Sequence, residues 1–292
     1  MSKIRRSDGF WLNSQVFRKE ALNFNTNGYY CSAPANTMDW LDYWEEQLNR
    51  CKNGFEVDGE RITNHHYFYL NFFRINRLED PNSIESSTVK INAAPDFWDS
   101  DYEFFWWVEI ADKGVLNKNS QCYNLLTNSE KKKLEEKRYS TAEKDALKQV
   151  VLYKRLKLKS IVHPDYLEGG LDIVLDKARR KGYTYKEVAI CVNTYNTMRN
   201  SQSLIGVSDN AYADELQKFT SLGLGFLNEH TAWSKAREFR DIAEQRRASF
   251  KKNINGVSIE AGYMSEIVTL SFKDSPEKAR GRSPLKQFFE EA

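Results

Sequence analysis

Residues 176–186, DKARRKGYTYK, crowd basic side chains around one glycine, after the apolar run Leu171–Leu175 and ahead of a stretch that can be helical. These are the materials of a phosphate cradle. Successive backbone N–H groups turn inward around phosphate oxygens, a helix N-terminus adds its positive end, a cation neutralises the outer phosphates and a hydroxyl meets magnesium. The usual spacing is two glycines separated by four residues, then Lys and Ser or Thr. Here Lys177 stands at the first glycine position, Ala178, Arg179, Arg180 and Lys181 fill the span, Gly182 is the second glycine, Tyr183 replaces the lysine and Thr184 keeps the hydroxyl. The cation has moved to the front: the flexible stem of Lys177 can reach the same phosphates, and Arg179 offers a planar fork of donors. A basic turn between a strand and a helix that binds no nucleotide is the plain alternative. The sequence closes on FFEEA, which places Glu290 and Glu291 after a short apolar run. Phosphoryl transfer uses one carboxylate near the magnesium and another group to orient the attacking water. Two surface glutamates are the alternative here, because the polarity of Lys286 and Gln287 in the same run is foreign to a buried central strand.

The elements that must position these residues follow from periodicity. LDIVLDK (171–177) reads as a short strand, YKEVAICVNTYNTM (185–198) as the next helix, QSLIGVSD (202–209) as a second strand and AYADELQKFTSLGLGFLNEHTAW (211–233) as a glycine-interrupted helix. Strand alternating with helix predicts a parallel sheet. RRASFKK, an Asn255-Gly256 turn, VSIEAG and SEIVTLSF add strands, part of them as a hairpin, and LKQFFEEA is the last. Upstream, Met38, Leu41, Trp44 and Leu48 recur at helical spacing, Asp58-Gly59 suggests a hairpin within 54–62, and HHYFYLNFFRI (65–75) reads as a strand or an aromatic packing segment. Residues 95–114 predict a helix carrying Phe97, Tyr102, Phe105, Trp106, Val108 and Glu109; its rings serve either core packing or the stacking of a purine base. Residues 115–160 are polar and charged, a linker or helical insertion.

Composition bounds the function. With 292 residues, 40% hydrophobic and 29% charged, the chain can bury a substantial core, and no apolar run approaches a membrane span. The basic N-terminus lacks the apolar core of a secretory signal. Cys31, Cys51, Cys122 and Cys191 lack metal-ligand pairing, and His65 and His66 have no partners at ligand spacing, so reduced thiols and no structural zinc are expected. Net charge is only +2, so any nucleic-acid contact must come from local clusters such as 131–138, 154–159 and 177–181.

Several segments together resemble one family. KARRKGYTYK is similar to the deviant phosphate loop of phage terminase large subunits, the ATP-driven motors that package DNA into procapsids, in which a lysine opens the loop and an aromatic follows the glycine. FFEEA is similar to their hydrophobic-then-acidic second motif, and HYFYLNFF, DFWDSDYEFFWWVEIA, FLNEHTAW, RRASF, GYMSEI and FKDSPEKARGR extend the resemblance over most of 54–292. It implies an α/β fold: a P-loop NTPase core of the additional-strand, RecA-like kind with a mainly parallel sheet over 166–292. An aromatic-rich, mostly helical region over 1–165 would carry lid and adenine-side elements. It further implies ATP and Mg2+ as ligands, with nucleotide held along Lys177–Thr184. Lys177 would contact phosphate, Arg179 sense it and Gly182 act as pivot. Thr184 and Glu290 would serve the metal, and Glu291 polarise the attacking water. The adenine contact would fall near 97–107. Implied partners are double-stranded DNA, the portal protein, the small terminase subunit and further copies in a homo-oligomeric ring, in the host cytoplasm at the procapsid portal vertex. The sequence departs from the family with Glu in place of Asp at 290 and with polar Lys286-Gln287. The family's coupling motif, remaining strands and nuclease domain do not follow Ala292, so an incomplete core without a nuclease is expected. The runner-up is a non-catalytic fragment that binds DNA or packaging partners through basic helices; helicase motifs are not found.

Overall fold

A computed structural model of the chain describes residues 3–5, 11–78, 90–175, 182–238, 244–273, 277 and 281–290. In chain order the elements are β1 (Lys3–Arg5), β2 (Trp11–Asn13), α1 (Ser14–Phe17), α2 (Lys19–Asn27), α3 (Met38–Asn53), β3 (Phe55–Val57), β4 (Glu60–Ile62), α4 (Asn64–Phe72), β5 (Ile75–Leu78) and β6 (Lys90–Ala93). They continue as α5 (Asp99–Lys113), α6 (Asn128–Glu135), α7 (Thr141–Gln149), α8 (Tyr183–Thr197), β7 (Gln202–Val207), α9 (Asn210–His230), β8 (Gln245–Ile254), β9 (Val257–Ser271) and β10 (Lys286–Glu290). The fold is α/β with a mixed, partly parallel sheet. Two compact units interleave along the chain, one drawn from 1–19, 53–67 and 96–178, the other from 20–52, 68–95 and 179–292.

The first unit is built on rings. Phe17 stacks on Phe97 and meets Phe55 edge-on, and His66, fully buried, stacks on Phe105 at 4.9 Å. Phe97, Tyr102, Phe104, Phe105 and Trp106 are all buried, so core packing accounts for the rings of α5; Trp98 alone among the segment's large apolar residues is strongly exposed. Helices α6 and α7 each begin with a capping box, Thr127 with Glu130 and Ser140 with Glu143, which gives charged helices with little apolar surface a defined start. They occupy the polar stretch that the sequence left as linker or helical insertion. The Arg155 guanidinium grips Glu130 through two hydrogen bonds, of 2.9 and 2.7 Å, and holds its carboxyl down at about 2. The buried Lys148 ammonium bonds Asp145 and Glu168.

The second unit carries the sheet, in the order β10-β7-β9-β8; β10, β7 and β9 run parallel, and β8 returns antiparallel to β9. The apolar run Leu204–Val207 lies in β7, between two neighbours, where both faces are covered. Helices α8 and α9 pack on β7, on β9 and on each other. Gly223 lets α9 approach: a Cβ there would lie 2.8 Å from the Phe73 ring. A second ring cluster, Trp44, Phe72, Trp233 and Tyr30, closes this core.

Two expectations change, and of the two alternatives for 65–75 aromatic packing holds. Residues 171–175 form no strand: Leu171 donates a hydrogen bond to the Ala111 carbonyl, and Leu171, Ile173, Val174 and Leu175 are exposed, Val174 by 97%. Strand propensity without a pairing partner does not make a strand. The 65–75 run is mainly helix α4, ringed by burial on every side and therefore without the amphipathic period that marks a surface helix. Helix α9 runs through its glycines unbroken to His230.

Candidate functional site

The described part of the site begins at Gly182, the N-cap of α8, whose φ of +68° and ψ of 21° lie in the left-handed region. A Cβ there would meet nothing within 4 Å, so glycine is favoured by backbone conformation rather than by space. This kink starts α8 and puts Tyr183, Thr184 and Lys186 in its first turns. The Lys186 ammonium lies 3.8 Å from the centroid of the Tyr183 ring, and its side chain is buried. A cation near a helix N-terminus works against the macrodipole, and the ring face offsets part of that cost.

Across the sheet, β10 is the edge strand of the four-stranded order, where polar Lys286 and Gln287 are tolerated because one side faces away from the other strands. Its last residue, Glu290, lies opposite Val207 of β7 and is 3% exposed. The Thr184 hydroxyl donates to Glu290 Oε1 at 2.5 Å, and the Tyr212 hydroxyl donates to the same oxygen at 3.4 Å. Tyr212 is held in turn: the Asp209 side chain caps α9 by accepting from the Tyr212 backbone N–H at 2.9 Å. The structure therefore brings together Thr184 and Glu290, residues 106 positions apart.

At the same carboxyl end of the strands, Gly206, Val207, Ser208, Phe272, Lys273 and Phe289 line a shallow pocket. Open parallel sheets bind ligands at this end, where loops leave the strands. Phe272 and Phe289 close over Gly206, their ring centroids 5.8 Å apart, and a Cβ at 206 would collide with both. A hydroxyl and a buried carboxylate on rigid elements suit magnesium, which takes one or two protein oxygens and otherwise keeps its water.

Lys177, Ala178, Arg179, Arg180, Lys181 and Glu291 lie outside the described residues. Sequence reasoning missed Lys186, Tyr212 and Lys273. Tyr212 carries one local signal, its position three residues after the helix-capping Asp209. Lys186 and Lys273 look like surface lysines in sequence, and only the tertiary fold brings them to this end of the sheet.

Among the described residues, no helix is long and apolar enough to cross a membrane. Comparison with models of known protein families, with curated proteins and with solved structures finds no match to this chain.

Proposed function

We propose that this chain is a phosphate-loop ATPase of the DNA-packaging kind, in which ATP and Mg2+ bind between 177–184 and Glu290–Glu291 and hydrolysis drives double-stranded DNA into a procapsid. The observation that carries the reading is the hydrogen bond from Thr184 to Glu290 at the N-terminus of α8. A hydroxyl two residues after a left-handed glycine, joined to a strand-end carboxylate, is the pairing that a magnesium nucleotide requires. Mg2+, where bound, would supply neutralising charge to the phosphates. Thr184 and Glu290 would hold it. Lys177 and Arg179 would neutralise the outer phosphates, with buried Lys186 adding positive potential from the first turns of α8. Glu291 would orient the attacking water. In this reading the chain works in a homo-oligomeric ring with the portal protein and the small terminase subunit, at the portal vertex in the host cytoplasm.

The absence of a strand at 171–175 supports a second reading, a binding protein that docks DNA or packaging partners without hydrolysing ATP. A phosphate loop depends on a rigid element on either side, and only α8 supplies one among the described residues. The thermal midpoint with and without a non-hydrolysable ATP analogue and Mg2+ separates the two. A rise that is lost in Lys177→Ala supports the ATPase; no rise in either protein supports the second reading.

A further inference from the structure

Glu290 closes β10 with its side chain buried, and a buried carboxylate needs hydrogen-bond donors in place of water. Two hydroxyls meet the same oxygen, Oε1: Thr184 from the first turn of α8 at 2.5 Å and Tyr212 from the first turn of α9 at 3.4 Å. The strand-end carboxylate thus joins the starts of two helices. All three residues belong to the second unit.

The donor from α9 is held more firmly than a surface tyrosine would be. Its backbone N–H donates to the Asp209 side chain at 2.9 Å, and the Ala213 N–H closes the same turn on the Asp209 carbonyl at 3.1 Å. Asp209 is itself placed by the sheet, because Val207, two residues earlier, lies opposite Glu290 in the parallel ladder. One ladder pair therefore fixes both the carboxylate and the cap of the helix that carries its partner. A phenol ring has only two torsions, so a fixed backbone leaves its hydroxyl little freedom.

We propose that Tyr212 is a positioning residue of the nucleotide site, fixing the Glu290 carboxylate in the orientation that receives Mg2+. Tyr212 acts through Glu290, and it has this role only if ATP and Mg2+ bind at 177–184 and Glu290, as proposed above. Groups that hydrogen-bond a metal ligand set its rotamer and its basicity, and losing one typically weakens metal binding by roughly ten- to a hundredfold. At 3.4 Å the bond is longer than the usual O–H···O distance, and bonds of this kind commonly tighten as the substrate complex forms. The plain alternative is a hydroxyl that only satisfies a buried acceptor, as most folds require. That role predicts a loss of stability and no effect on the metal.

The test is the thermal shift of the full chain with a saturating non-hydrolysable ATP analogue over a series of Mg2+ concentrations, for the wild type and Tyr212→Phe. Phe keeps the ring and removes only the hydroxyl. The variant should need about tenfold more Mg2+ for half of the maximal rise, and should reach the same rise once Mg2+ saturates. Asp209→Ala, which releases the Tyr212 backbone without touching Glu290, should move the Mg2+ midpoint in the same direction, and adding it to Tyr212→Phe should move it no further. Asp209→Asn keeps a helix cap and should retain the wild-type midpoint. A lower Tm without ligand combined with an unchanged Mg2+ midpoint in Tyr212→Phe overturns the role and leaves the nucleotide reading standing. A further shift in the double variant also overturns it, because Asp209 would then act on the metal by another route. No rise in the wild type at any Mg2+ concentration removes the nucleotide reading, and the role of Tyr212 with it.

Discussion

The two ends of helix α8 each set a lysine against a tyrosine ring, and the contrast between them separates a site from a support. At the N-terminal end, Lys186 lies 3.8 Å from the Tyr183 ring, in the same helical turns as Thr184, which reaches the buried carboxylate of Glu290. At the C-terminal end, Lys235 lies 4.6 Å from the Tyr263 ring and donates to the Asn196 side chain at 2.6 Å and the Trp233 carbonyl at 3.3 Å. There the negative end of the helix dipole favours a cation, and neutral acceptors are enough to hold it. Burial, then the charge of Lys52, pulls the Lys235 ammonium down to about 8. At the other end the lysine sits against the helix field.

The sharpest way to break this comparison is at Glu290. Glu290→Gln retains a hydrogen-bond acceptor for Thr184 and Tyr212 but removes the charge. It should abolish a nucleotide-dependent gain of about 2.7 kcal/mol at ligand a hundredfold above Kd, read as a lost rise in Tm. A retained rise would place the metal elsewhere.

Next is Lys235→Met. Because the folded pKa lies below the unfolded one, the unfolded chain holds the extra proton between about 8 and 10.5, so stability rises with pH through that window and the lysine's penalty is full below it. The substitution should therefore stabilise the protein by roughly 2 kcal/mol at pH 7, with the gain fading toward pH 10.5, measured by urea midpoints at several pH values. A gain independent of pH would show that packing, and not charge, is responsible.

Gly182→Ala places a side chain in a left-handed conformation with open space around it, so only backbone strain enters, about 1.5 kcal/mol in chemical denaturation. The smallest effect is at the rings. Tyr183→Leu should cost about 1 kcal/mol because its cation is buried, and Tyr263→Leu about half that, with Phe restoring stability at either position. Equal costs would remove the distinction between the two ends.

Much of the second unit was legible in the sequence because its signals are local. The β7 run, the α8 and α9 segments and the Asn255-Gly256 turn each carry their own periodicity or turn chemistry. What escaped depended on partners. Leu171–Leu175 have the composition of a strand, but a strand exists only through hydrogen bonds to a neighbour, and nothing within five residues reports whether one is there. The aromatic run of α4 left a strand and a packing segment both open because rings favour strands; it is a buried packing segment in helical form. At the site, Thr184 and Glu290 were readable from motif spacing, whereas Tyr212 and Lys186 join it through tertiary structure that leaves no mark at their own positions.

The sheet joins strands of very different separation, and that difference sets an order in time. The β8–β9 ribbon closes across a two-residue turn, an event of microseconds, while β10 must find β7 from some eighty residues away, against a far larger loss of chain freedom. Parallel pairings of this kind are the slow contacts of a folding chain. The ribbon is thus expected early and Glu290 late, so a refolding experiment should see hairpin amides protected from exchange before the Thr184–Glu290 bond forms. The end of the sheet that carries Glu290 would be the last to become native.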